Sequence, residues 1–268
     1  MSFFWLVILG SVSGTAAGLL AGLIGFGGGV VIVPVVFYGL VETGTPADLA
    51  AHVAVGTSLA AILPAALVSS LTHWRAGNTD SRFFREWGPG IVSGVVVAQL
   101  AAPHLRGSVM TGIFALLCLT FAVRFAFPSR FGPVFEQPPA GNFRRIAGTA
   151  IGLCSGLAGV GGGILTNIVM TLAGMPMHKS IGRAAAAGVV VSLPATLVAA
   201  LASGASSPAR LGCIDLAVWA SIAPAQTIAA WFGARLAQHV APDNLSRVVA
   251  GALFATGTVM FYSSVAGR

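Results

Sequence analysis

The stretch Gly18-Leu19-Leu20-Ala21-Gly22-Leu23-Ile24-Gly25-Phe26-Gly27-Gly28-Gly29 returns almost letter for letter as Gly152-Leu153-Cys154-Ser155-Gly156-Leu157-Ala158-Gly159-Val160-Gly161-Gly162-Gly163, with all six glycines at a constant offset of 134 positions. Such a coincidence inside apolar sequence marks a duplicated unit, each half of which carries its own glycine break. Four glycines in five residues, at 25–29 and again at 159–163, each disfavour a helix by about 1 kcal/mol relative to alanine, so the chain is expected to unwind there. The segments that follow, 30–40 with Pro34 and 164–173, are apolar but short for a bilayer crossing. Each half is therefore read as a long helix, a glycine turn and a half-length helix. In the long helices Gly10, Gly14, Gly18 and Gly22, and Gly148, Gly152 and Gly156, recur every fourth residue and make faces without side chains, against which another helix can pack closely.

The rest of the composition fits a membrane. With 56% hydrophobic and 8% charged residues and a mean hydropathy of +0.90, the 268-residue chain lacks the polar surface of a soluble globule. The first 24 residues have the apolar core of a secretory leader, but no basic residue precedes Arg75 and the glycine motif has its counterpart deep in the chain, so the segment is expected to stay in the bundle. The net charge of +7 is spread between apolar runs, which suits loop anchors beside a lipid bilayer and argues against a nucleic-acid surface. Cys118, Cys154 and Cys213 are far apart and lack the paired spacing of zinc or redox sites.

Further spans are expected over 49–71, 88–102, 108–127, 181–202, 216–238 and 245–265. Residues 128–142 hold Pro128, Pro133, Pro138 and Pro139 with mixed charges and read as the linker between a first repeat, 1–127, and a second, 143–268. The fold class is thus an all-α polytopic membrane protein, a duplicated helical bundle with a glycine-broken helix in each half. If each broken element crosses once there are eight spans in parallel halves, and nine basic residues fall on the side of the N-terminus against five on the other. If it folds back there are ten segments and the second half is inverted, with three basic residues against eleven. The second split obeys the positive-inside rule better and puts both termini outside the cytoplasm.

Enzymatic chemistry is poorly supplied. Glu42, Asp48, Asp80, Glu86, Glu136, Asp215 and Asp243 all sit at loops or span ends, the five histidines have no metal-ligand spacing, and neither glycine motif continues as a phosphate loop or a dinucleotide fingerprint. No catalytic group, metal or cofactor is expected. The motifs do supply backbone N–H groups at the start of a half-helix, inside a protein, where a small anion is a suitable partner. Gly25, Gly27, Gly28 and Gly29, with Gly159, Gly161, Gly162 and Gly163, are therefore the candidate substrate-binding residues. Thr57 and Ser58 add hydroxyls, Asn167 an amide and Arg183 a full charge. Arg183 also reads as a headgroup anchor, and the hydroxyls as groups bonding their own helices. His52 is the candidate for proton coupling, or a packed histidine.

The paired Gly-Phe/Val-Gly-Gly-Gly turns, Gly56-Thr57-Ser58-Leu59, Gly77-Asn78-Thr79-Asp80 and the duplicated layout resemble the TauE/SafE family of sulfite and organosulfonate exporters, over nearly the whole chain. The resemblance implies a multi-pass permease of the bacterial inner membrane that moves small sulfur-containing anions such as sulfite or sulfoacetate by secondary transport. The chain departs from the family where a Thr-Ser pair is usual in the second half: it has Ala186-Ala187-Gly188, with Ser192 one turn on as the substitute. An anion channel and a non-transporting membrane scaffold are the alternatives, and the glycine-faced helices leave room for a homodimer.

Overall fold

A computed structural model describes residues 3–127, 140–202, 210–237 and 242–266. The first half holds α1 (Phe3–Ile24), α2 (Gly29–Glu42), α3 (Ala47–Arg75), α4 (Ser81–Ala101) and α5 (Gly107–Ala126). The second holds α6 (Gly141–Ala158), α7 (Gly163–Leu172), α8 (Met177–Leu201), α9 (Leu216–Leu236) and α10 (Pro242–Ala266). A 3-10 turn, Ala102–His104, joins α4 to α5, and a hairpin of β1 (Arg210–Leu211) and β2 (Ile214–Asp215) precedes α9. α1, α3, α5, α8 and α9 are long and apolar enough to cross a membrane, while α2, α7 and residues 250–265 of α10 are shorter apolar helices. Leu116, Leu201 and Phe261 stand exposed on the outside, as lipid contact requires. Residues 128–139 of the expected linker lie outside the described residues, and its last two, Gly141 and Asn142, already belong to α6.

At the breaks the chain doubles back. Gly28 lies beside Ala17, two turns before α1 ends, and further along α2 Tyr38 and Gly39 share a cavity wall with Leu9 and Gly10. In the second half Gly162 and Leu165 lie beside Ser155, one turn before the end of α6. Each half therefore has five helical segments rather than four. Asp80 and Asp215 do equivalent work: each caps the next helix, accepting a hydrogen bond from the N–H of Phe83 or Val218 at 3.0 and 3.1 Å.

The glycine faces set how the halves interlock. Gly10, Gly14, Gly18 and Gly22 of α1 meet Ser221, Ile222, Gln226 and Ala230 of α9 in that order, so these two helices run in the same direction. Gly148, Gly152 and Gly156 of α6 meet Trp87, Ile91 and Ala98 of α4 in the same sense. In lipid, helix association depends on close backbone approach rather than on apolar burial, and these faces supply it. α3 and α8 pack against each other in the middle; the Gly188 backbone lies against Ala66, and Ile62 reaches both breaks at Gly27 and Gly161. An ion-pair cluster adds to the α4–α6 contact, Glu86 bonding Arg82 on its own helix at 2.7 Å and Arg144 of α6.

These contacts predict opposite outcomes for two glycines in helix interiors. A Cβ at Gly18 would run into the Gln226 carbonyl, whereas one at Gly39 would meet nothing within 4 Å. Gly18→Ala should destabilise by about 1–3 kcal/mol through overpacking, and Gly39→Ala should be neutral or stabilising by about 0.5–1 kcal/mol. Thermal denaturation of the detergent-solubilised protein checks both; equal melting temperatures would contradict the packing.

Candidate functional site

Each break is built on glycines that other residues cannot readily replace. Gly25, Gly27 and Gly28 have φ of 78°, 77° and 82°, and Gly159, Gly161 and Gly162 have 72°, 72° and 76°, all in the left-handed region. Gly29 and Gly163 are constrained differently: a Cβ on Gly29 would strike the Gly159 carbonyl, and one on Gly163 the Gly25 carbonyl. Gly27 in turn lies against Val160 and Gly161. The two breaks, 134 positions apart, are thus one buried unit with touching backbones.

Side chains serve four carbonyls at this unit. Asn167 Nδ2 donates to the Ile24 carbonyl at 3.1 Å and Gln226 Nε2 to that of Gly27 at 3.0 Å. On the other break, Gln99 Nε2 donates to the Gly156 carbonyl and Ser58 Oγ to that of Gly159, each at 3.0 Å. The donors at each break come from the opposite half of the chain. Gly28 and Gly162, the left-handed caps, accept from Val31 and Ile32 and from Thr166. Among the described residues no acceptor is found for the backbone N–H groups of 26–30 or of 161–165. What remains at the starts of α2 and α7 is a set of donors on the positive ends of two helices.

The remaining candidate side chains are distributed unevenly around this unit. Ser58 and Asn167 touch it but spend their donors on carbonyls, so they brace the breaks. Thr57 faces the hairpin, its hydroxyl accepting from the Asp215 N–H at 2.9 Å. Ser192 is fully buried with an unclaimed hydroxyl and follows Val191, whose side chain fills the space against Gly162. Arg183 is half-buried at the start of α8, in the stretch whose backbone borders Gly25. Its guanidinium approaches the Met170 sulfur at 3.8 Å and feels the charge of Glu86. His52 bridges two backbone carbonyls, Asp48 at 2.8 Å and Ala102 at 3.0 Å, and so ties α3 to the end of α4.

Three residues outside the sequence-based set belong here. Gln99 and Gln226 are amides in otherwise apolar stretches of α4 and α9, and Thr166 is a fully buried hydroxyl without a partner, one turn into α7. A buried amide in a membrane helix is itself a signal, since it must find a partner in the bundle. A cavity of 460 Å³ lies elsewhere, between α1, α2 and α9, with the Arg210–Asp215 ion pair at 3.5 Å and Glu42 at its edge. Its wall includes no residue of either break.

Comparison with known proteins agrees with this layout. The sequence profile of the sulfite exporter TauE/SafE family matches residues 11–260. A probable membrane transporter protein of Haemophilus influenzae is 31% identical over 190 residues, which is 71% of this chain and 72% of that one. YunE of Bacillus subtilis, also a probable membrane transporter protein, is 31% identical over 194 residues, 64% of this chain and 68% of its own. The probable membrane transporter protein MJ0441 of Methanocaldococcus jannaschii is 22% identical over 96% of both chains. No solved structure matches. The chain is a multi-pass membrane transporter and belongs to the sulfite exporter TauE/SafE family.

Proposed function

We propose that this protein is a permease of the bacterial inner membrane that exports small sulfur-containing anions, sulfite and organosulfonates among them. The anion is held by the backbone N–H groups at the starts of α2 and α7. One observation carries this reading: among the described residues the N–H groups of 26–30 and 161–165 have no acceptor, while four carbonyls at the two breaks are each served by a side chain. Buried, unpaired N–H groups at the starts of two helices are costly in lipid, and a small anion is a suitable partner for them. Direct contact between the two breaks favours a carrier that must part them, in alternating access, over a standing pore.

The same reading makes the repeats inverted. With each half folding in five segments, basic residues divide three to eleven, so the side of the N-terminus is external and the side bearing Arg75, Arg85, Arg144 and Arg183 is cytoplasmic. That basic side attracts anions to the entry.

Proline in the first turn of a helix deletes one N–H and leaves the helix intact. Val30→Pro in α2 and Ile164→Pro in α7 therefore remove a proposed ligand each. Sulfite flux into proteoliposomes should fall roughly tenfold to a hundredfold in each, the worth of one hydrogen bond to a charge. Val30→Ala, the packing control, should retain flux. Folded Val30→Pro and Ile164→Pro proteins with normal flux would sink the proposal.

Topology has its own test. Arg106→Cys and Leu211→Cys, placed singly in a background without the native cysteines, should both react with a membrane-impermeant maleimide from outside the cell. Labelling from opposite faces would require parallel halves.

A further inference from the structure

Gln226 sits in the middle of α9, fully buried. It reaches the first break because α1 has no side chains in the way: a Cβ on Gly14 would meet the Gln226 backbone nitrogen, and one on Gly18 its carbonyl. The amide ends where a Gly28 Cβ would stand, with Nε2 at 2.8 Å from that position and donating to the Gly27 carbonyl at 3.0 Å. That bond settles which end of the amide carries the hydrogens. Its other end, Oε1, is buried and has no donor. An unpaired acceptor thus belongs to the side chain that abuts Gly28, the residue capping α2, and the N–H groups at the start of that helix are themselves unpaired among the described residues. At the second break the equivalent place on α4 is held by Ile91, whose carbonyl faces Gly152 as that of Gln226 faces Gly18. Among the described residues no amide holds that place at the second break.

We infer that Gln226 is the specificity-determining residue of the anion site, its Oε1 accepting a hydrogen bond from an anion that carries an acidic O–H. The inference rests on the proposed anion reading of the breaks. Backbone N–H groups serve the charged oxygens of any oxyanion, but an unpaired carbonyl-type oxygen facing the same site repels an oxygen without a proton. A ligand that brings one O–H satisfies both sets. A site built to pair with a hydroxyl rejects an analogue lacking it more strongly than apolar contacts reject a missing methylene, because the buried acceptor is then left unpaired. The favoured class is the protonated monoanion of a small oxyacid, hydrogensulfite being one, and plain alkanesulfonates are disfavoured.

Methylphosphonate and methanesulfonate isolate this effect. At a pH where methylphosphonate keeps one proton, the two have the same shape and charge and differ by a single O–H. Titration of the purified full-length protein should show methylphosphonate bound about tenfold tighter than methanesulfonate, the value of one such pairing. In Gln226→Met the ratio should collapse towards one. Gln226→Asn, which keeps an amide but withdraws it by one methylene, should narrow it and serves if the Met variant does not fold. Equal binding of the two probes by the wild type overturns the inference while leaving the breaks as an anion site. A preference that survives in both variants overturns the assignment to Gln226. Failure of the wild type to bind either probe or sulfite overturns the anion reading itself, and this inference with it.

Discussion

The constraint on which this molecule depends is the hydrogen-bonding account of two helix breaks buried in a membrane protein. Backbone groups at membrane depth have no water to turn to, so an unwound stretch persists only where the protein supplies partners. Here side chains supply part of it. Asn167 and Gln226 each serve one carbonyl of the first break, Gln99 and Ser58 one each of the second, and among the described residues no acceptor is found for the N–H groups of 26–30 and 161–165. Because each break is served from the opposite half, neither half can complete its own break. The duplication is then an interlocked structure instead of two units that happen to be joined.

That interlocking explains the unusual number of glycines with structural work to do. Where φ is positive, at 25, 27, 28, 159, 161 and 162, the requirement is conformational. Where the backbones touch, as at Gly29 against Gly159 and Gly163 against Gly25, it is steric. On α1 and α6 it is a matter of approach: without Gly14 and Gly18, α9 would stand further off and the Gln226 amide would fall short of Gly27. The packing glycines and the turn glycines are therefore one device, the first bringing a donor to a carbonyl of the second.

Much of this was legible in the sequence, for physical reasons that apply unevenly. The breaks could be read because left-handed backbone admits almost only glycine, so conformation leaves a mark in residue type. The doubling-back was harder, since α2 and α7 are short and apolar on either topology, and only contacts such as Gly28 beside Ala17 and Gly162 beside Ser155 separate a turn from a kink. Residue chemistry was legible without its direction. Ser58 and Asn167 read as donors, as they are, yet they point at carbonyls, and Thr57 serves the hairpin. Gln99 and Gln226 went unread because one amide in an apolar run has no period or motif, and its role exists only through a partner 57 or 199 positions away.

The two halves share a frame but not its fittings, and the difference follows from what each part must do. A left-handed turn can be built in one way, so both copies keep their glycines. A carbonyl can be capped by any donor that reaches it, so the copies differ: Ser58 has Gly188 opposite it in the repeat, Asn167 has Val33, and Gln226 has Ile91. Unclaimed polar atoms follow the same division. The first break has the free oxygen of Gln226 beside it, while the free hydroxyls of Thr166 and Ser192 lie on α7 and α8, the helices of the second. A symmetric pair of donors can hold an anion from both sides, but it cannot tell one end of that anion from the other. Distinguishing them requires a group present on one side only, and the capping positions are where the frame leaves freedom for such a group to differ.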